Sequence, residues 1–88
     1  MRRDESYVLQ ELGGVKILIP TGSRILDMNG IITLNDTAAV VWELLSEDRT
    51  TDDILNEITG QFEVSREQAE NDIQKFIIEI SDKGLLKA

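Results

Sequence analysis

The chain contains no cysteine and no histidine. Without cysteine there is no disulfide, no thiolate nucleophile and no zinc site of the Cys/His kind, and without histidine the commonest general base is missing. Aromatic residues are few, and Pro20 is the only proline. No apolar run reaches the ~20 residues of a membrane helix, because Asn35 and Asp36 interrupt the richest one. Positive charge is also scarce: nine Lys and Arg face 17 Asp and Glu, a formal net charge of −8. Such a surface repels nucleic-acid phosphates and favours a partner with a basic or apolar docking face. The opening residues include Arg2 and Arg3 but no apolar stretch behind them, so they do not read as a signal peptide. These absences predict a soluble cytoplasmic protein with no membrane or nucleic-acid partner, no metal and no cofactor.

What is present suits a small globular domain. At 88 residues the chain fits a single domain over 1–88, and 41% hydrophobic residues argue against disorder. Tyr7 to Leu12 and Val15 to Ile19 are apolar, β-prone runs joined by Gly13-Gly14, the pattern of a hairpin with a two-residue turn that Pro20 closes. Arg24 to Met28 is a possible short extended piece, ended by the turn pair Asn29-Gly30. Ile31 to Leu34 reads as the next strand, its β-branched content favouring strand over helix.

Three helices follow, each with a start signal. Asn35 caps the first, which carries Ala38, Ala39, Val41, Trp42, Leu44 and Leu45, with Trp42 expected in the core. Thr50 caps the second with Asp53 as its capping-box partner, and Gly60 weakens or ends it. Ser65 opens the third, with Gln68 expected to close a capping box. Its inward stripe is Ala69, Ile73, Phe76, Ile77 and Ile80, and Lys83-Gly84 stops it. Ile78 falls about 160° from the centre of that stripe at 3.6 residues per turn, so a monomer leaves it exposed. Strands first and helices after predict an α+β fold: an N-terminal three-stranded antiparallel sheet followed by a three-helix bundle, winged-helix-like in its inventory.

Three function classes compete. A winged-helix inventory suggests a DNA-binding or transcriptional module, but the third helix sets Arg66, Lys75 and Lys83 against Glu67, Glu70, Asp72, Glu79 and Asp82. An acidic helix in the groove opposes the phosphate term that dominates affinity. An enzyme has no visible machinery. Glu67, Glu70 and Glu79 are spaced as a solvated helix face, and Asp52-Asp53 sit in a first helical turn, where carboxylates complement the dipole. Neither set has the pattern of a nucleophile or a metal site, so no catalytic residue is expected. A small structural, self-associating domain is the third class.

Several segments together resemble the PqqD family, coenzyme PQQ synthesis protein D and its relatives, also called RiPP recognition elements. They are Gly30-Ile31-Ile32-Thr33-Leu34-Asn35-Asp36-Thr37-Ala38-Ala39, Trp42-Glu43-Leu44-Leu45, Thr50-Thr51-Asp52-Asp53-Ile54 and the closing Gly84-Leu85-Leu86. The hairpin from Tyr7 to Ile19 also suits the family, and the likeness rests on the order and spacing of these pieces. It implies a non-catalytic peptide chaperone that binds the leader of a ribosomally made precursor peptide and presents it to a modifying enzyme, often a radical SAM enzyme. In the founding pathway that peptide becomes pyrroloquinoline quinone (PQQ). The stretch between Pro20 and Asn35 is longer than in the PQQ-pathway members, which points away from a specific PQQ role and toward a relative serving another peptide or an unknown pathway.

The resemblance also implies where the leader lies: added as a strand to the edge of the third strand, beside the third helix. An edge strand leaves main-chain groups for a guest, and pockets between strand and helix supply selectivity. The expected peptide-binding residues are therefore Ile31, Ile32, Thr33 and Leu34 on the strand and Asp72, Lys75, Phe76 and Glu79 on one flank of the helix. Within Asn29 to Leu45, most of the stretch is expected to be core, and only the strand edge is expected to serve as a site. Monomer and homodimer both remain open.

Overall fold

The computed structural model describes residues 1–21 and 32–87. In chain order they form β1 (Arg2–Arg3), β2 (Tyr7–Leu12), β3 (Val15–Pro20), β4 (Ile32–Leu34), α1 (Asp36–Leu44), α2 (Thr51–Gln61), α3 (Arg66–Asp82) and β5 (Leu86–Lys87). The expected α+β architecture is present: β2, β3 and β4 form an antiparallel sheet in that order, and three helices follow. Ile31 and the proposed piece from Arg24 to Met28 lie outside the described residues.

The β2–β3 hairpin turns through Gly13 and Gly14 at φ 59° and 82°. Positive φ at both central residues is a demand of the type I′ turn, whose twist matches that of the strands, and glycine meets it without a Cβ clash. Pro20 is the last residue of β3 and sits inside the strand.

Each helix starts at the expected cap. Asn35 accepts from the Ala38 N–H at 2.8 Å, and Ser65 accepts from the Gln68 N–H at 3.1 Å. Thr50 and Asp53 close a reciprocal box at 3.1 Å in both directions. Thr50→Ala should cost about 1 kcal/mol, read as a lower urea midpoint with an unchanged m-value. The second expected box is absent. The Gln68 amide reaches forward to Asp72 Oδ1 at 2.9 Å, a one-turn neighbour on the exposed face, instead of back to the Ser65 main chain. Nor does Gly60 end α2, which continues to Gln61.

α3 closes in a Schellman motif. Gly84 has φ 74°, its N–H reaches the Ser81 carbonyl at 3.1 Å, and the Leu85 N–H reaches that of Ile80 at 2.8 Å. This turn drops Leu85 into the core and lets β5 pair with β1. The two-residue ladder, Arg2 with Lys87 and Arg3 with Leu86, ties the chain's first residues to its last element.

One apolar cluster joins the inner face of the sheet to all three helices. Leu18, Ile32 and Leu34 meet Val41, Trp42 and Leu45 of the first helical segment, Ile54 and Ile58 of α2, and Ile73, Phe76 and Ile80 of α3. Trp42 is fully buried as expected, its carbonyl accepting from Arg3 at 2.9 Å while that guanidinium lies 5.5 Å from the ring centroid. Ile78 is 61% exposed, also as expected, whereas Ile77 is only half-buried at the margin of the stripe. Among the described residues no helix is long and apolar enough to cross a membrane.

Candidate functional site

β4 continues directly into the α1 cap. Ile32 and Leu34 are buried against the helices while Thr33 between them is exposed, the alternation of a strand covered on one face. β4 pairs with β3 through Lys16–Leu34, Ile17–Thr33 and Leu18–Ile32, and no other described strand pairs with its outer edge.

The direction of the main-chain groups on that edge follows from register. In an antiparallel ladder, hydrogen-bonded and non-hydrogen-bonded pairs alternate. The Thr21 N–H donates to the Ser6 carbonyl at 2.7 Å, one step beyond the Tyr7–Pro20 pair. Counting in twos from there, Val8–Ile19, Gln10–Ile17 and Leu12–Val15 are the hydrogen-bonded pairs of β2 and β3. The intervening Lys16 and Leu18 therefore turn their main-chain groups toward β4, where Leu34 and Ile32 receive them. Thr33 is left with its N–H and C=O pointing away from the sheet.

Beside this edge lies a cleft of about 200 Å³ lined by Thr33, Leu34, Asn35, Thr37, Ala38, Val41, Asp72, Lys75, Phe76 and Glu79. That is smaller than the ~300 Å³ lower end of drug-sized pockets, and it suits individual side chains of an extended guest better than a compact molecule. Leu34, Ala38, Val41 and Phe76 make an apolar floor, and Asp72, Lys75 and Glu79 rise from α3 as a charged rim. Lys75 and Glu79 are exposed and Asp72 is half-buried. At the sheet end, Lys16 Nζ meets Asp36 Oδ1 at 3.3 Å, linking β3 to the head of α1. A larger cleft of about 530 Å³ is walled by Ser65 and polar side chains of the first half of α3 alone, which makes it a solvated helix face.

Six of the eight residues anticipated from the sequence, Thr33, Leu34, Asp72, Lys75, Phe76 and Glu79, are brought together on this cleft. Ile32 is buried in the core and does not line it, and Ile31 is outside the described residues. Sequence reasoning missed Asn35, Thr37, Ala38 and Val41, having read the segment after the strand as a cap followed mostly by core. The small residues Thr37 and Ala38 in the first turn of α1 were the available signal, since they leave room beside the strand end. Among the described residues no group of His, Cys, Asp or Glu has the makings of a metal site.

Comparison with known proteins adds a second line of observation. No curated protein matches the chain by sequence. Two solved structures share its fold. TbiB1 in complex with the TbiA(beta) leader peptide is 22% identical, with a TM-score of 0.74 over 100% of this chain and 96% of that one. A lasso peptide synthetase B1 complexed with the leader peptide is 23% identical, with a TM-score of 0.72 over 99% of this chain and 96% of that one. The family model for coenzyme PQQ synthesis protein D matches residues 7–86, from the first residue of β2 into β5. With nearly every element of the fold inside that match, the chain belongs to the PqqD family.

Proposed function

We propose that this protein is a non-catalytic peptide-binding partner that takes the leader of a ribosomally made precursor as an added strand on β4. It then presents the bound precursor to a modifying enzyme in the cytoplasm, a radical SAM enzyme being the type the family resemblance favours. The observation that carries this reading is the outward main chain of Thr33 set directly beside the apolar-floored cleft. A guest strand finds a donor and an acceptor there. Its residues flanking the one opposite Thr33 point to the helix side, so one enters the floor of Leu34, Ala38, Val41 and Phe76 while Asp72, Lys75 and Glu79 meet its neighbours. Ile32 serves by holding the strand in place from the core side. The acidic α3 and the net charge of −8 disfavour the DNA-binding alternative. The two leader-peptide complexes of like fold lend support by analogy.

The test is a titration of ¹⁵N-labelled protein with the synthetic leader of the precursor encoded nearest its gene. Amide signals of Thr33, Leu34 and residues 72–79 should shift together and saturate. Shifts confined to Tyr7–Leu12, at the opposite edge of the sheet, would place the peptide elsewhere and overturn the assignment.

A further inference from the structure

The sheet has a second edge. β2 pairs with β3 on one side and with no described strand on the other. The same alternation that turns Thr33 outward leaves the N–H and C=O of Leu9 and Glu11 pointing away from the sheet, since Gln10 is in a hydrogen-bonded pair with Ile17. This edge has little of the usual protection. Glu11 is the only charged residue in Tyr7–Leu12, and the strand has neither proline nor a bulge in its pairing with β3. Its outer face carries Val8 and Leu12, 40% and 60% exposed, two of the exposed large apolar side chains among the described residues. Alongside runs a cleft of about 340 Å³ whose walls include Leu9 and Trp42, the cation of Arg3 and the carboxylates of Glu5 and Glu43.

We infer that the β2 edge is a self-association surface, and that two copies pair antiparallel through β2 about a two-fold axis at Gln10. The register is selected by chemistry. Hydrogen-bonded pairs across the new junction must join outward-facing residues, and a two-fold at Gln10 joins Leu9 to the partner's Glu11 and Glu11 to the partner's Leu9. On the outer face it sets Val8 directly against the partner's Leu12, and Leu12 against the partner's Val8, so both exposed aliphatic side chains gain an apolar neighbour. Gln10 faces its own copy with an amide that both donates and accepts. No like charges stand opposite one another, although each chain carries −8. On the helix side, the partner's Glu11 lies over Leu9 at the mouth of the cleft, where Arg3 supplies a cation. Glu5 and Glu43 leave that cation as the one attractive partner for it among the described residues lining the cleft. Arg3 spends one N–H on the Trp42 carbonyl, and its fork has further donors. Such an interface is isologous and closed, and it makes one continuous sheet with the two β4 edges at its far ends.

Because the natural chain has no thiol, Gln10→Cys introduces a single one at the axis. Non-hydrogen-bonded partners stand about 4.5 Å apart at Cα, inside the roughly 4.4–6.8 Å span a disulfide accepts. Under mild oxidant, Gln10→Cys should form a covalent dimer at least tenfold faster than Ile78→Cys, an exposed control on α3. Equal rates would overturn the inference. In the Gln10→Cys background, Val8→Lys should slow cross-linking at least tenfold, and adding Leu12→Glu should restore it by setting opposite charges across the axis. Circular dichroism of each variant verifies the fold. A slowed single variant that the second change fails to rescue would exclude this register.

Discussion

Replacing Thr33 by proline should lower affinity for the leader roughly 10- to 100-fold while leaving the protein folded. The size follows from about 1–3 kcal/mol for a lost hydrogen bond whose acceptor stays buried without a partner. Proline removes the N–H that Thr33 directs outward and fills the guest's approach with its ring. The fold tolerates the change because that N–H is not part of the β3–β4 ladder, and edge strands accept proline where the missing donor faces away from the sheet. The residue before a proline is pushed to extended backbone, which Ile32 already has as a member of β4. Thr33→Ala is the matched control: it keeps the N–H and trims only an exposed side chain at the rim of the cleft, so it should lose far less affinity than Thr33→Pro. Calorimetric titration of the three proteins with one leader peptide separates the cases. Equal binding by a folded Thr33→Pro variant would remove the β4 edge from consideration.

The largest effect on stability is expected at Trp42. Trp42→Ala should cost about 3–5 kcal/mol, the usual range for a buried aromatic truncated in a core. For a chain of 88 residues the whole stability is about 4–13 kcal/mol at ~0.05–0.15 kcal/mol per residue. The variant should therefore melt lower by about 15–30 °C or fail to fold. Two things are lost together: the filling of the space between sheet and helices, and the ring face over which the Arg3 guanidinium lies. Denaturant titration followed by far-ultraviolet dichroism reads the loss, and a cost below about 1 kcal/mol would mean that the ring is not part of the tight core.

Much of this fold was legible in the residues because its local signals agree with one another. Gly13-Gly14 demands a specific turn, Thr50 with Asp53 marks a helix start, and the stripe from Ala69 to Ile80 keeps helical period. Each is a short-range pattern that tertiary packing reinforces. The β1–β5 ladder was not legible: Arg2-Arg3 is two residues long, has no periodicity and acquires strand geometry only because the Gly84 turn returns Leu86 beside it. Gln68 shows the same limit in a side chain. Its spacing from Ser65 suits a capping box, yet Asp72 one turn on competes for the amide and holds it.

The candidate site divides in the same way. Thr33, Leu34 and the α3 flank could be placed from strand alternation, helical spacing and family likeness. Thr37 and Ala38 are passed over because their contribution is to be small: the signal lies in the residues, but an absence of bulk carries no periodicity that draws attention to it. The outward aim of the Thr33 main chain needed the β2–β3–β4 register, which depends on a bond as remote as Thr21 to Ser6.

The Gly84 turn has a mechanical corollary. It lays Leu86–Lys87 against Arg2–Arg3, so the stretch ahead of the sheet and the stretch behind α3 clasp each other. Fraying one strips the other of its partner and loosens the C-terminal end of the helix that borders the proposed groove. Damage far from any guest would in this way reach the place where the guest lies.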